Sequence, residues 1–217
     1  TVEFAVRLSQ EEVDNIRSIP TFRLAEDYAK GTRKSPYSNV TTMQMAIRTL
    51  EDHFDGELLE KTRKVLDWYV YKQAESYASG KVRSPYSNRT DLEVAMSVVD
   101  VCGSGEEAKV LMRQSLDKHF FARAESYASG KERSPYSNVT SLEMADRTVK
   151  QFGSSISVQK AMKIELDKHV FARAEAYATG KIRSLNRGVS SKEIAARITQ
   201  HASSEEARKR MIDILGL

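Results

Sequence analysis

The sequence predicts an all-α fold in which four tandem helical hairpins of about 50 residues stack as a short α-solenoid. A 22-residue segment that begins at Ala74 returns almost unchanged at Ala124, and looser copies begin at Ala25 and Ala174. Helix-capping patterns recur at the same places in the copies. The landmark tyrosine of each copy follows the previous one by 49, 50 and 50 residues, at Tyr28, Tyr77, Tyr127 and Tyr177. A fixed period of this size is typical of repeat architectures.

The third copy indicates how the longer helix of each hairpin is built. Ser104 followed by Glu107 matches a capping box, which predicts a helix from there to about Ser129. Gly130 stands where a left-handed residue commonly ends a helix. Apolar residues recur between these points at steps of three and four, which forms one stripe of a helix, at Met112, Leu116, Phe120, Ala124, Tyr127 and Ala128.

A shorter helix follows a turn in every copy. In the third copy the turn spans 131–138, and Gly153 ends the helix after it. Alternating apolar and polar residues are absent, so no strand is predicted. The predicted capping boxes of the short helices are Thr41/Gln44, Thr90/Glu93, Thr140/Glu143 and Ser190/Glu193. The glycines predicted to end the long helices are Gly31, Gly80, Gly130 and Gly180.

The two ends of the chain differ from the repeats. Ser9 and Glu12 predict a short first helix, which Pro20 separates from the next helix. Ser203 and Glu206 predict the start of a last helix. We therefore predict one helical-repeat domain over 1–217, divided into an N-terminal cap 1–21, repeats 22–65, 66–115, 116–165 and 166–202, and a C-terminal capping helix 203–217.

Composition restricts the class of protein. The 217 residues are 40% hydrophobic and 29% charged, as in ordinary globular proteins. No apolar run reaches the roughly 18 residues that cross a bilayer, so no membrane partner is predicted. The start at Thr1 has no signal-peptide pattern, and a processed or truncated start stays open. The single cysteine, Cys102, excludes an internal disulfide and favours an intracellular, reducing compartment.

The turn between the two helices of each hairpin is the candidate binding site. It carries basic residues, a serine and, in three of the four copies, Pro-Tyr-Ser-Asn. The turn directly precedes a helix N-terminus, where free amide groups and the helix dipole favour anions. Such residues suit phosphate or carboxylate groups, one set in each repeat. The candidate residues are Lys34, Tyr37, Asn39, Lys81, Arg83, Tyr86, Asn88, Lys131, Arg133, Tyr136, Asn138, Lys181 and Arg183.

A structural role is the alternative for these residues. Each long helix has a glutamate eight residues before a basic residue of the turn, at Glu26, Glu75, Glu125 and Glu175. A pair between the two would brace the helix against the turn. The proline and tyrosine would then pack as an apolar pin between repeats, while serine and asparagine satisfy the turn backbone. Because the turn is constant, it cannot read a base sequence, for which the reading residues differ between repeats.

Motifs of catalysis and metal binding are missing from the sequence. It contains no GxSxG, P-loop, GxGxxG, HExxH or CxxC pattern. His119 and His169 each follow an aspartate by two residues, a spacing that places the two side chains on different faces of a helix. We therefore predict no enzyme activity, no cofactor and no metal, and we interpret the histidines as solvent-facing residues or contacts between repeats.

The tandem hairpins resemble the general class of α-helical repeat solenoids, although the residues typical of tetratricopeptide and ankyrin repeats are absent. The resemblance implies a binding scaffold. We predict that the chain binds a protein partner through a face built from its repeats and turns. The alternative is sequence-tolerant binding of a nucleic-acid backbone, which a net charge of +4 and a pI near 9.0 permit. That alternative uses Lys81, Arg83, Lys131, Arg133, Lys181 and Arg183.

Overall fold

The computed structural model describes residues 8–38, 40–183 and 188–217. All regular elements in these ranges are helical, which confirms the all-α prediction. No helix in the described ranges is long and apolar enough to cross a membrane. The α-helices are α1 (Gln10–Ser18), α2 (Pro20–Lys30), α3 (Thr42–Glu51), α4 (Gly56–Ala78), α5 (Asp91–Cys102), α6 (Glu106–Ala128), α7 (Ser141–Phe152), α8 (Ile156–Ala178), α9 (Ser191–Ile198) and α10 (Glu205–Leu215), with a 3-10 turn at Thr199–His201.

Capping boxes begin the short helices α3, α5, α7 and α9, as predicted. In each box the N-cap side chain accepts the amide of the third helical residue, whose side chain accepts the N-cap amide in return. Ser9 and Glu12 form the same box at α1. Pro20 is the first residue of α2, where its missing amide costs nothing, and it separates α1 from α2 as predicted.

Glycines in the left-handed region follow the long helices, also as predicted. This region is unfavourable for residues that carry a Cβ. At the end of α6, the Gly130 amide donates to the Tyr127 carbonyl at 3.0 Å, and the chain reverses at once. Each of these glycines therefore ends its helix with the same local backbone conformation. The φ angles lie between 75° and 78° at Gly31, Gly80, Gly130 and Gly180.

The start of α6 differs from the prediction. The helix begins at Glu106, so Ser104 is not its N-cap and the predicted box with Glu107 is wrong. The Ser104 amide and hydroxyl donate to the two carboxylate oxygens of Asp67, at 2.9 and 2.5 Å. Asp67 lies in the middle of α4 and is 2% exposed. We call this arrangement an aspartate–serine bracket.

The bracket occurs two more times. Asp117 accepts the Ser154 amide at 2.9 Å and the Ser154 hydroxyl, and Asp167 accepts the Ser203 amide and hydroxyl at 2.7 and 2.5 Å. Ser204 is the N-cap of α10, so the predicted box of Ser203 with Glu206 is wrong for the same reason. Each bracket fixes the chain just before a long helix to the middle of the previous long helix.

The chain divides into two compact units, the N-terminal unit Thr1–Leu116 and the C-terminal unit Asp117–Leu217. In the N-terminal unit α2 packs against α3, and α4 packs against α5, as helical hairpins. Cys102 is 1% exposed, and burial raises the pKa of its thiol to about 12. The largest fully buried side chains of this unit include Phe22, Met43, Leu50, Leu66, Val70, Val99 and Met112.

The C-terminal unit has its own core. In it α8 packs against both α7 and α9. Phe120 is fully buried, and its ring centroid lies 5.5 Å from that of Phe152. Apolar core side chains come from every helix of the unit, among them Leu142, Val149, Met162, Leu166, Val170, Ile198 and Met211.

Candidate binding surface

Three turns carry the repeated Ser-Pro-Tyr-Ser motif: turn 1 (31–41), turn 2 (79–90) and turn 3 (129–140). In turn 2 the Ser84 hydroxyl donates to the Tyr86 carbonyl at 2.9 Å and accepts the Tyr86 amide at 3.1 Å. The same two bonds form in turns 1 and 3. The prediction that serine satisfies the turn backbone is therefore confirmed, and the loop around the proline and tyrosine is fixed.

Two of the turn tyrosines are exposed. Tyr37 is 57% exposed and Tyr136 is 40% exposed, so neither packs as the predicted apolar pin. Val40 and Val139, three residues later, are buried in their place at 8% and 7% exposure. The valines take the interior position because they directly precede the N-cap of a packed short helix. The tyrosine rings are left on the surface of the turn.

Turn 2 differs from turns 1 and 3 at this position. It has Arg89 where the other two turns have valine, and Arg89 lies 5.6 Å from the centroid of the half-buried Tyr86 ring. Arg89 was not among the predicted site residues. The departure from the repeat consensus, a cation in place of an apolar residue, is the signal that would have identified it.

The basic residues of the turns are exposed. Within the described residues, none of their side chains has a hydrogen-bond or ion-pair partner. These residues are Lys34, Lys81, Arg83, Lys131, Arg133, Lys181 and Arg183. Asn88 and Asn138 are also exposed, whereas Asn39 lies outside the described residues.

Two of the helix glutamates, Glu26 and Glu125, contact the following long helix. Glu26 accepts a hydrogen bond from the Tyr69 hydroxyl at 3.1 Å. Glu125 accepts one from His169 Nε2 at 3.0 Å, and Lys168 Nζ lies 3.0 Å from the same carboxylate. Hydrogen bonds from His169 and Lys168 lower the pKa of Glu125. His169 is therefore a contact between repeats, and the predicted brace from the helix glutamate to the turn cation is not formed by Glu26 or Glu125.

Other contacts hold the turns against the helices. In the C-terminal unit Arg123 Nη1 of α6 lies 2.6 Å from the Glu132 carboxylate of turn 3. In the N-terminal unit the Ser84 amide donates to Asp91 Oδ1 at 2.6 Å. Turns 2 and 3 are therefore fixed without their candidate cations, which leaves those cations available to a partner.

The helix starts beside turns 2 and 3 are already occupied by carboxylates. The Thr90 amide donates to Glu93 at 2.7 Å, and the Glu93 amide donates to the Thr90 hydroxyl at 3.2 Å. At α7, hydrogen bonds from the Thr140 amide and hydroxyl lower the pKa of Glu143. A glutamate carboxylate therefore lies at the start of α5 and of α7, where it offsets part of the attraction for anions that we predict for these helix N-termini.

These turns carry positive charges, aromatic rings and amide groups, which can form non-covalent contacts with a partner. In the described part of the chain, no three or more His, Cys, Asp or Glu side chains lie together as a possible metal site. No protein-family model, curated protein or solved structure matches this chain. The functional argument therefore depends on the surface itself.

Proposed function

We propose that the chain is a non-enzymatic helical-repeat scaffold that binds an acidic protein surface through turns 1, 2 and 3. The observation that supports this proposal is the set of exposed turn cations, which have no partner among the described residues, next to the exposed Tyr37 and Tyr136. Tyrosine and arginine are enriched at the energetic centres of protein interfaces. Because each turn backbone is fixed by its serine, these side chains are presented with little ordering cost.

The proposal includes the stacking of the four hairpins as a short α-solenoid. The aspartate–serine bracket supports it, because the same bond pair joins consecutive long helices in both units. The contacts of Glu26 with Tyr69 and of Glu125 with His169 support it in the same way. Repeats that are joined by identical contacts are expected to repeat the same geometry.

A protein partner is favoured over a nucleic acid by the carboxylates around the turns. Glu93 and Glu143 lie at the helix starts that follow turns 2 and 3, and Glu132 lies within turn 3. A phosphate backbone would meet these carboxylates at regular intervals, and each would offset part of the attraction from the cations. A protein surface with separated acidic groups can contact the cations and avoid the carboxylates.

Nucleic-acid backbone binding is the second candidate. Exposed lysine and arginine favour it, since these are the groups that neutralise phosphates, at Lys81, Arg83, Lys131, Arg133, Lys181 and Arg183. Exposed tyrosines beside cations are also suited to stacking on unpaired bases.

Affinity capture with paired variants tests the proposal. Arg83→Glu combined with Arg133→Glu reverses one cation in each of turns 2 and 3, and Arg48→Glu combined with Arg147→Glu reverses two exposed arginines on short helices. We expect the turn variant to capture at least about 10-fold less of the proteins that the wild-type chain captures, since charge reversal at an interface costs several kcal/mol. The control variant should capture the same amounts as the wild-type chain. Quantitative mass spectrometry measures the ratio.

Nuclease treatment and salt separate the two candidates. For a protein partner, capture should survive complete nuclease digestion. For nucleic acid, fluorescence anisotropy with mixed DNA and RNA oligomers should show binding at about 50 mM salt that weakens in proportion to the phosphates neutralised. Equal capture by the wild-type chain and the turn variant contradicts the proposed function. Absence of oligomer binding eliminates the second candidate.

A further inference from the structure

The C-terminal unit contains a groove whose lining includes Thr140, the last residue of turn 3, and none of the candidate turn side chains. Its volume is about 370 Å³, and it lies between the start of α7, the end of α8 and the outer face of α9. This volume is within the range of small-molecule sites, which is about 300–1,000 Å³. The groove is therefore large enough for a small organic ligand.

The groove has an apolar wall. Leu142 and Ile198 are 5% and 8% exposed, so they form its base. Ile194 and the ring of Tyr177 are partly exposed and complete the wall. A ligand with an apolar body of a few carbon atoms would gain hydrophobic stabilisation here.

Two guanidinium groups also line the groove. Arg173 of α8 is half-buried and Arg197 of α9 is exposed. In the part of the chain that the structure describes, neither side chain has a hydrogen-bond or ion-pair partner. A guanidinium that is partly removed from water favours a carboxylate, which it binds through two parallel hydrogen bonds.

The neighbouring carboxylates are bound elsewhere. Asp146 accepts a hydrogen bond from His201 Nδ1 at 2.6 Å and lies 3.5 Å from Lys163 Nζ. Glu143 and Glu193 each accept an N-cap amide at 2.7 Å, at the starts of α7 and α9. Hydrogen bonds from Ser190 and, to a smaller extent, the charge of Arg197 lower the pKa of Glu193. The bonds of the three carboxylates do not involve Arg173 or Arg197. They also fix the His201 ring with Nδ1 toward Asp146, so Nε2 is the ring nitrogen left for a ligand.

The N-terminal unit provides an internal comparison. The groove in its equivalent position, between the start of α3 and the face of α5, has a volume of only about 40 Å³. Ser97 and Val101 stand there at the positions of Arg197 and His201, 100 residues earlier in the sequence. Arg197 has arginine counterparts at Arg48 and Arg147, so Ser97 is the departure from the repeat at this position. Arg197 and His201 occur together in the groove that is large enough for a ligand.

We propose that this groove binds a small organic acid, with its carboxylate on Arg173 and Arg197 and its apolar body against Leu142, Ile194 and Ile198. This inference is independent of the proposed function, because the groove includes no side chain of the candidate turn set. The acid is of the arylalkanoate or medium-chain type, since a short polar acid would leave the apolar wall exposed to water.

Methyl NMR with 4-phenylbutyrate tests the proposal. We expect saturable shifts of the Ile194 and Ile198 methyl signals, with a Kd of about 1 mM or tighter for a ligand of this size. The uncharged analogue 4-phenyl-1-butanol should bind about 10-fold more weakly, because it cannot form the ion pairs. Arg173→Gln combined with Arg197→Gln should weaken the binding of 4-phenylbutyrate by about 10-fold or more.

Control variants separate loss of the site from loss of the fold. Arg210→Gln removes an exposed cation of α10 and should leave the Kd unchanged. If the double variant unfolds, Arg197→Gln alone supplies the test, because this side chain is exposed and unpaired. Absence of shifts at about 20 mM 4-phenylbutyrate, equal binding of the alcohol, or wild-type affinity in a folded Arg197→Gln variant would each overturn the proposal.

Discussion

Replacing Asp67 with alanine is expected to lower the free energy of unfolding at pH 5 by about 2–3 kcal/mol, because the partly buried amide and hydroxyl of Ser104 then lose their acceptor. Asp67 is 2% exposed and accepts both groups, so water cannot replace the lost bonds without opening the contact. Urea unfolding followed by circular dichroism measures the change. Asp213→Ala is the control, since Asp213 is an exposed residue of α10 without a partner in the described chain. A change of equal size in both variants would contradict the structural role of the bracket.

The pH dependence of stability provides a second test of the contact between Asp67 and Ser104. Burial raises the pKa of Asp67 from 3.8 to about 6, against the hydrogen bonds from Ser104. The folded chain therefore holds this proton more tightly than the unfolded chain, so the contribution of Asp67 to stability falls as the pH rises from 4 to 6. The side-chain amide that Asp67→Asn introduces does not titrate. The free energy of unfolding of this variant should therefore rise relative to that of the wild type between pH 4 and pH 6, by up to about 3 kcal/mol. A difference between the two proteins that is independent of pH would contradict this assignment.

Phe120→Ala is expected to have the largest effect on stability, about 3–5 kcal/mol, because it leaves a cavity beside Phe152 in a core that cannot fully collapse. The Phe120 ring is fully buried, and its centroid lies 5.5 Å from that of Phe152. Phe121, the next residue of α6, is only partly buried, and Phe121→Ala should cost less than half as much. Calorimetric unfolding of both variants gives the comparison. Equal losses would show that the core of the C-terminal unit is not packed as described.

The helices could be predicted from the sequence because their signals are local. A capping box needs two residues three positions apart, as at Thr140 and Glu143, and a helix end needs one glycine, as at Gly130. Pro20 separates α1 from α2 for an equally local reason. Where such signals occur in all copies, their agreement strengthens each prediction.

The brackets could not be predicted in this way. Asp67 and Ser104 are 37 residues apart, and nothing near either residue indicates its partner. The local pattern around Ser104 indicates a capping box with Glu107, and the buried carboxylate overrides it. The repeat itself holds the missing information, since Asp117 and Asp167 recur at the position of Asp67 every 50 residues.

The candidate turns were predicted in part. Their basic residues follow directly from the motif, and the structure places them on the surface. The direction of the tyrosines did not follow, because it depends on which residue of the turn reaches the core, and Val40 and Val139 take that place. The partner of Glu125 could not be predicted either, because His169 lies 44 residues away on the next long helix.

The central claim is that the turn cations serve a partner, and its most direct test compares Arg133 of turn 3 with Arg123 of α6. Arg133 is an exposed cation of turn 3 without a partner in the described residues, whereas Arg123 lies 2.6 Å from the Glu132 carboxylate of the same turn. If the turn cations serve a partner and not the fold, Arg133→Gln should change the free energy of unfolding by less than about 0.5 kcal/mol. Arg123→Gln should lower it by about 1 kcal/mol, as expected for a partly exposed ion pair. A loss of about 2 kcal/mol or more in Arg133→Gln would show that the cation braces the fold, and it would contradict the account.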